Sequence, residues 1–169
     1  MIGADQHLVL VGMMGSGKST IARVVGQRLE RPVVDTDSEI ERRAGKSVRR
    51  IFAEDGEPAF RSVESQVLAD VLAGAEPRVV ATGGGIVVAE ANRLLLRNSG
   101  ARVVWLCADT PTLLERTRQG GHRPLLDNDP EGTLQRMIID REPWYREVAD
   151  AIVLVDHRSV SEVVEAILR

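Results

Sequence analysis

Five short apolar runs punctuate the chain, and each has the length and composition of a buried β-strand. They are rich in Val, Leu and Ile and lie at residues 7–12, 32–35, 78–82, 102–107 and 151–155. A continuous apolar run, unlike an alternating one, indicates a strand that is covered on both faces. The pattern therefore predicts five strands of one parallel sheet.

Helical periodicity fills the stretches between these runs. Residues 20–30 carry apolar side chains at helical spacing after the first strand. Further helices are predicted at 88–99, 110–118, 130–148 and 159–168. Within 130–148, Pro143 is expected to break the helix, because proline lacks a backbone N–H and clashes with the preceding turn. Strands that alternate with helices predict an α/β fold with helices on both faces of the sheet.

Three more helices are predicted between the second and third strands. Their expected first and last signals are Asp37 and Gly45, Ser47 and Gly56, and Pro58 and Gly74. The third helix carries a wide apolar stripe, which predicts a core-facing surface. The stripe consists of Phe60, Val63, Val67, Leu68, Val71 and Leu72.

Length and composition describe an ordinary globular chain. The 169 residues, 43% of them hydrophobic and 28% charged, predict one domain over 1–169 that folds alone and acts as a monomer. A net charge of −3 gives no bulk attraction to nucleic acid or an anionic membrane. No signal peptide or membrane span is evident, and the single cysteine, Cys107, is expected to be a buried structural thiol. These features predict a cytoplasmic protein.

One motif carries most of the chemistry. Residues 12–19 read Gly-Met-Met-Gly-Ser-Gly-Lys-Ser, which matches the pattern G-x-x-x-x-G-K-[ST] between a predicted strand and a predicted helix. In this pattern backbone N–H groups and the helix N-terminus bind phosphate, the lysine reaches the β and γ phosphates, and the hydroxyl ligates Mg²⁺. Lys18 is one of only two lysines in the chain. We interpret the segment, called the phosphate loop below, as a nucleotide site.

Two carboxylates follow the second strand in the sequence Asp35-Thr36-Asp37. Ligands of open parallel sheets bind beyond the carboxyl ends of the strands, so both acids are expected beside the phosphate loop. One would then serve the magnesium ion and the other an acceptor hydroxyl. The alternative is a helix cap at Asp37 with Asp35 as a solvated strand end.

An arginine and a run of glycines indicate an acceptor site. Arg61 and Glu64 are spaced to pair at i, i+3, and a guanidinium held in this way binds an anionic acceptor well. Residues 82–85, Thr-Gly-Gly-Gly, follow the third strand and are called the glycine loop below. Its glycines allow a ligand to approach bare backbone and also permit positive φ angles, although a simple tight turn is the alternative.

The segment 119–130 is too rich in Gly, Pro, Asp and Asn for a regular element and suggests a lid. Within it, Arg123 could close over phosphates as an arginine finger. Arg141 is expected at the helix break, next to Trp144 and Tyr145. The three histidines, His7, His122 and His157, show no metal-ligand spacing and receive no role.

The phosphate loop, Asp-Thr-Asp, Phe-Arg-x-x-Glu, Gly-Gly-Gly, Arg-Pro-Leu-Leu and Arg-x-Pro-x-Tyr occur in this order, and together they resemble the shikimate kinase family along nearly the whole chain. The resemblance implies a three-layer αβα P-loop kinase fold with an acceptor-binding region near 36–64 and a lid near 114–128. It implies transfer of phosphate from ATP to the 3-hydroxyl of shikimate.

The resemblance also implies a role for each matched residue. ATP phosphates would be held by Gly15, Ser16, Gly17, Lys18, Ser19 and Thr20, with Arg123 closing from the lid and Arg158 near the adenine. Mg²⁺ would be bound by Ser19 and, through water, by Asp35. Shikimate would be held by Asp37, Arg61, Gly84 and Arg141, between apolar walls supplied by Val48, Phe52, Phe60, Pro124 and Leu125. Lys18, Asp37 and Arg123 would carry the catalysis.

Two alternatives share part of this pattern. A kinase for another small acceptor, such as gluconate or a nucleoside monophosphate, would also have the phosphate loop and lid. A nucleotide switch would bind without transferring phosphate, but a GTPase would normally carry Asn-Lys-x-Asp, and here Gly45 precedes Lys46.

Overall fold

The predicted strands form one parallel sheet in the computed structural model, which describes residues 1–119 and 128–169. The strands are β1 (Leu8–Val11), β2 (Val33–Asp35), β3 (Val79–Ala81), β4 (Arg102–Cys107) and β5 (Ala151–Leu154). Their order in the sheet is β2-β3-β1-β4-β5. The first strand therefore lies in the centre, and the predicted five-stranded parallel sheet is confirmed.

Helices connect the strands and cover both faces of the sheet. Those within the described residues are α1 (Lys18–Leu29), α2 (Thr36–Ala44), α3 (Val48–Glu54), α4 (Glu57–Leu72), α5 (Glu90–Asn98), α6 (Thr110–Gln119), α7 (Pro130–Val148) and α8 (Val160–Leu168). Side chains from α1 and α8 pack on one face, and side chains from α2 to α7 on the other. The three-layer αβα arrangement predicted from the sequence is confirmed.

Strand β1 shows how the two cores are separated. Successive side chains of a strand point to opposite faces of the sheet. Leu8 and Leu10 accordingly join the core that contains α1 and α8, whereas Val9 and Val11 join the larger core on the other face. All four side chains are fully buried, which is why the run reads as continuously apolar.

The cap of α2 differs from the prediction. Asp35, not Asp37, is the N-cap residue, and its carboxylate accepts a hydrogen bond of 3.1 Å from the backbone N–H of Ser38. The helix begins directly after β2 with no linker, so the last extended residue is the one that can reach the free N–H groups. Asp37 then lies in the first turn of the helix. The predicted cap at Ser47 is confirmed by its 3.2 Å bond from Arg50 N.

The predicted break at Pro143 is wrong, because α7 runs without interruption from Pro130 to Val148. Pro143 lies on the exposed side of the helix, whereas Leu134, Tyr145 and Val148 are buried on the other side. The carbonyl group that loses its N–H partner can bind water on the exposed side, and packing on the buried side keeps the segment helical through the proline.

Two other expectations are modified. Cys107 is only partly buried at the end of β4, and burial raises the pKa of its thiol. His7 is buried before β1, where its ring nitrogens contact the Gly74 carbonyl at 2.9 Å and the Arg78 N–H at 3.2 Å. These two hydrogen bonds hold the segment between α4 and β3 against the start of β1.

Over residues 1–119 and 128–169, the chain contains no helix with both the length and the apolar character that a bilayer crossing requires.

The continuity of α7 through Pro143 predicts that Pro143→Ala stabilises the protein. The substitution restores an N–H donor one turn after Ile139 and removes the ring, partly offset by a more flexible unfolded chain. We expect the free energy of unfolding in urea to rise by about 1–2 kcal/mol. Gln135→Ala, at an exposed position of the same helix, is the control and should change it by less than about 0.5 kcal/mol. A loss of stability in Pro143→Ala would contradict this account of the helix.

Candidate functional site

The site lies at the carboxyl edge of the sheet. Strand β1 pairs in parallel with β3, with Leu10 opposite Ala81, so the segments that follow the two strands leave the sheet side by side. Together with α2, α3, α4, α6 and α7 they enclose a cleft of about 670 Å³. The cleft is lined by the predicted site residues Gly15, Gly17, Lys18, Ser19, Thr20, Asp35, Asp37, Arg61, Gly84 and Arg141.

The phosphate loop joins β1 to α1 as predicted. Gly12, Gly15 and Gly17 all have positive φ angles, which only glycine adopts without strain. A Cβ at position 12 would lie 2.5 Å from the Leu106 carbonyl oxygen, so the loop also requires glycine for space. The tight curl directs backbone N–H groups inward at the N-terminus of α1, where they and the helix dipole favour an anion.

Lys18 closes this loop. Its ammonium group donates hydrogen bonds to the carbonyl oxygens of Gly12 at 2.7 Å and Met13 at 2.9 Å. The side chain is 8% exposed, and Ser16 beneath it is 1% exposed. A buried cation is thereby held at the end of the loop where an incoming phosphate would need it.

Ser19 and Asp35 form a pair of oxygen ligands beside the loop. The Ser19 hydroxyl donates a 2.6 Å hydrogen bond to Asp35 Oδ2, while Oδ1 of the same carboxylate caps α2. A hydroxyl and a carboxylate are hard ligands of the kind Mg²⁺ prefers. Within residues 1–119 and 128–169, no group of three or more His, Cys, Asp or Glu side chains could hold a metal ion. The Ser19 hydroxyl and the Asp35 carboxylate could supply two oxygen ligands to a divalent cation whose other ligands are phosphate oxygens and water.

Two carboxylates converge on Gly83 at the other end of the cleft. A Cβ at this position would lie 2.9 Å from Asp37 Oδ1 and 3.0 Å from Glu64 Oε2. The backbone N–H of Gly83 donates to the Thr36 hydroxyl at 3.1 Å, which fixes the glycine loop against the start of α2. The glycine is thus required because the acids approach its backbone.

Arg61 lies beside these acids. Its Nη1 donates to Glu64 Oε1 at 2.9 Å, which confirms the predicted i, i+3 pair. The guanidinium also lies against Gly85, where any Cβ would overlap it. The segment does turn, with hydrogen bonds from Ile86 N to the Gly83 carbonyl at 3.1 Å and from Val88 N to the Gly85 carbonyl at 3.0 Å, but none of the three glycines adopts a positive φ. The close approach of neighbouring groups, and not the turn geometry, therefore requires glycine here.

Glu64 is the buried carboxylate of this cluster. Its side chain is 1% exposed, and Oε2 has no hydrogen-bond partner among the described residues. Burial raises the pKa of this carboxyl, and the nearby Asp37 raises it further, whereas Arg61 and Arg141 lower it. The carboxylate pairs with Arg61 but is expensive to keep ionised.

Arg141 approaches the glycine loop from α7. Its side chain is 6% exposed, and its Nη1 lies 3.6 Å from the position of a Cβ on Gly84. Gly84 also lies against the phosphate loop, because a Cβ on Gly84 would be 3.1 Å from Met14 N. Two arginines from different helices, Arg61 and Arg141, therefore flank one short stretch of bare backbone.

An apolar wall closes the side of the cleft opposite the phosphate loop. The rings of Phe52 and Phe60 are 4.8 Å apart, and Val48 lies with them in the cleft lining. The Arg61 guanidinium carbon lies 5.2 Å from the Phe60 ring centre. Such a wall would contact the carbon face of a small polar acceptor.

A second hollow of about 230 Å³ lies on the outer side of the phosphate loop. Arg158 lines it, with Val155 and Val160 supplying apolar surface. Arg116 lies between this hollow and the main cleft, and its Nη1 reaches the Gly15 and Ser16 carbonyls at 3.4 and 3.3 Å. Sequence reasoning missed Arg116, because one arginine among twenty on an amphipathic helix carries no distinguishing signal.

The predicted lid residues fall largely outside the described residues. Arg123, with the expected wall residues Pro124 and Leu125, lies in the segment 120–127, as does His122. Of the predicted lid range, residues 114–119 form the end of α6.

A strand, a phosphate loop and a helix N-terminus on an αβα fold are the features of a P-loop nucleotide-binding protein. A family model for shikimate kinase matches residues 14–169. A shikimate kinase of Symbiobacterium thermophilum is 46% identical over 165 residues, covering 96% of this chain and 94% of that protein. The chain belongs to the shikimate kinase family.

Solved structures agree with this assignment. A shikimate kinase from Acinetobacter baumannii in complex with shikimate matches with a TM-score of 0.92 at 35% identity, covering 96% of this chain and 90% of that one. A gluconokinase from Sinorhizobium meliloti matches with a TM-score of 0.60 at 21% identity, over 95% of this chain and 88% of that one. The second likeness concerns the fold alone.

The buried Glu64 predicts a specific pH dependence of stability. An acid with a raised pKa in the folded state contributes stability below its ordinary pKa of 4.5, and this stability is lost as pH rises through the raised value. In Glu64→Gln this component is absent. We therefore expect the stability of the variant, relative to the wild type, to increase from pH 4.5 upward and then level off.

Urea unfolding of both proteins between pH 4 and 8 measures this difference. Glu57→Gln is the matched control, because it removes an exposed carboxylate from the same Arg61 guanidinium. Parallel stability curves for the wild type and Glu64→Gln would contradict the pKa shift.

Proposed function

We propose that this protein transfers the γ-phosphoryl group of ATP to the 3-hydroxyl of shikimate, giving shikimate 3-phosphate and ADP on the route to chorismate and the aromatic amino acids. The observation that carries the proposal is one cleft that contains both a phosphate loop and a cluster of two arginines and two carboxylates, of which Arg141 and Glu64 are buried and Arg61 and Asp37 partly exposed. Family membership supports the choice of acceptor.

The nucleotide would bind along the phosphate loop. Residues 15–20 supply backbone N–H groups and hydroxyls for the β and γ phosphates, and Lys18 turns from the loop carbonyls to the phosphate oxygens. The adenine would occupy the hollow between Arg116 and Arg158, where valine side chains and flat guanidinium groups suit a purine. The triphosphate then enters the cleft with its γ end toward the acceptor.

Mg²⁺ would be held by the Ser19 hydroxyl and, through water, by Asp35. When bound, the ion neutralises charge on the β and γ phosphates. The 2.6 Å hydrogen bond between Ser19 and Asp35 keeps the two ligands on one side of the loop, so they need little rearrangement to bind it.

Shikimate would bind at the glycine loop. Arg61 and Arg141 approach from two helices and would hold the carboxylate, while Gly84 leaves room for the ring against the Phe52 and Phe60 wall. Asp37 would accept hydrogen bonds from the hydroxyl groups. In the transfer, the 3-oxygen bonds to the γ-phosphorus as the bond to the leaving ADP oxygen breaks, and Asp37 accepts the hydroxyl proton.

In this proposal the whole chain, 1–169, works as one kinase domain and as a monomer in the cytoplasm. Residues 36–64 form the acceptor-binding region and 114–128 the lid, from which Arg123 would close over the phosphates and stabilise the transferring charge.

Shikimate-dependent ADP release tests the function. A coupled assay with ATP and Mg²⁺ should show turnover with shikimate that exceeds, by several orders of magnitude, the turnover with gluconate, with nucleoside monophosphates or with no acceptor. Equal turnover without an acceptor would support an ATP-binding regulator instead. Faster turnover with gluconate or a nucleoside monophosphate would identify that compound as the acceptor.

Asp37→Asn tests the proton acceptor. The variant keeps the shape of the side chain but loses its basicity, so we expect kcat to fall by about 10²-fold or more. Steady-state kinetics with both substrates varied measures the effect. A near-normal kcat with a raised KM for shikimate would make Asp37 a positioning residue only.

Arg61→Lys and Arg141→Lys test the carboxylate clamp. Lysine keeps the charge but cannot form the two parallel hydrogen bonds of a guanidinium. Because a hydrogen bond to a charged group contributes about 1.5–3 kcal/mol, each variant should raise KM for shikimate about tenfold or more and leave KM for ATP within about twofold. Arg50→Lys, at an exposed site on α3, is the control. Unchanged KM for shikimate in both variants would refute the clamp.

A further inference from the structure

The hydroxyl of Tyr145 lies where three parts of the site meet. It donates a hydrogen bond to the carbonyl oxygen of Gly84, the residue beside which the Arg141 guanidinium also lies. Met13 of the phosphate loop contributes its Sδ at 3.6 Å. One hydroxyl, carried by helix α7, thus contacts both the glycine loop and the phosphate loop.

Packing alone does not require this hydroxyl. The Tyr145 side chain is 1% exposed, and its ring stacks on Trp105 with the ring centres 5.6 Å apart. A phenylalanine would fill the same space. Burying a hydroxyl costs free energy unless it is hydrogen-bonded. The hydrogen bond of the Tyr145 hydroxyl must therefore offset its desolvation.

The direction of the bonds follows from the chemistry of the groups. A phenol has one proton, and an amide carbonyl is a stronger acceptor than a thioether, so the proton lies toward Gly84. The positive charge of Arg141 favours the phenol oxygen electrostatically and lowers the pKa of Tyr145, but burial has the larger effect. Burial raises the pKa of Tyr145 to about 12, so the hydroxyl remains a donor throughout the neutral range.

We propose that Tyr145 is a positioning residue for the acceptor. Its hydroxyl holds the Gly84 peptide in place beside the Arg141 guanidinium, and this arrangement sets where the acceptor carboxylate lies. Because Gly84 also lies against Met14 N, the same link fixes the acceptor relative to the phosphate loop. The inference rests on the proposed function, in which Arg141 and Gly84 bind shikimate.

Tyr145→Phe tests the proposal, because it removes the hydroxyl and keeps the ring. Without the link, Arg141 and Gly84 must be ordered by the acceptor itself, and this ordering costs acceptor affinity. We expect KM for shikimate to rise about tenfold, with KM for ATP within about twofold and kcat reduced less than KM is raised. The melting temperature should fall by about 2–4 °C, as for the loss of one buried hydrogen bond.

Ser99→Ala is the matched control. The Ser99 hydroxyl donates to the Leu96 carbonyl at 3.1 Å and accepts from Ala101 N at 3.2 Å, just before β4 and at the end of the sheet opposite the cleft. Its loss should lower the melting temperature without changing either KM. If Tyr145→Phe behaves like Ser99→Ala, or raises both KM values equally, the positioning role is refuted. A wild type without shikimate-dependent ADP release would instead refute the proposed function.

A spectroscopic test requires no mutation. Tyr145 is the only tyrosine of the chain, so growth on 3-fluorotyrosine labels this position alone. The ¹⁹F resonance of the labelled protein should shift when saturating shikimate is added, because the carboxylate draws on the same Arg141 guanidinium. A resonance that shikimate leaves unmoved would overturn the proposal even if Tyr145→Phe cannot be purified folded.

Discussion

The pairing of β1 with β3 is the constraint on which the rest of the site depends. These strands are distant in sequence, yet their parallel register places Leu10 opposite Ala81. Each strand therefore delivers a glycine-rich segment to the same edge of the sheet, and in the proposed function one segment binds phosphate and the other the acceptor. Phosphoryl transfer depends mainly on positioning and charge neutralisation, so a rigid shared edge supplies most of what the reaction needs. The helices then contribute single side chains to a frame that already exists.

Charge in the cleft is arranged in two regions. At the phosphate loop the groups that attract an anion are N–H groups, a helix terminus and Lys18, with Ser19 and Asp35 offering oxygen ligands beside them. At the glycine loop, buried carboxylates and guanidinium groups balance one another around backbone that has no side chains. Because low exposure strengthens each of these interactions and penalises any that is left unpaired, small displacements at this end are costly. This is the physical reason that a hydrogen bond such as that of Tyr145 matters beyond its own strength.

Much of this architecture was predictable, and the errors have local causes. All the strands and the helices of the described residues follow from apolar runs and helical spacing, and the phosphate loop and the Arg61–Glu64 pair follow from short motifs. The N-cap of α2 was predicted at Asp37 but lies at Asp35, because the helix follows β2 with no linker. The predicted break at Pro143 is wrong because packing on one side of α7 outweighs a lost hydrogen bond on its exposed side. The glycine loop needed its glycines for the approach of Arg61 and two acids, which no local signal reveals.

The sequence by itself determined the alternation of strands and helices, the phosphate loop and the residue types that an acidic acceptor would require, because periodicity and motif spacing are local properties of the chain. Only the tertiary structure decided the strand order, and with it which segments face each other across the cleft. It also placed Arg116 at the phosphate loop and linked Tyr145 to Gly84, across gaps of 100 or 101 residues in the first case and 61 in the second. Contacts of that kind arise from how helices pack on a twisted sheet, and a side chain on an ordinary helix carries no mark of them until the packing is known.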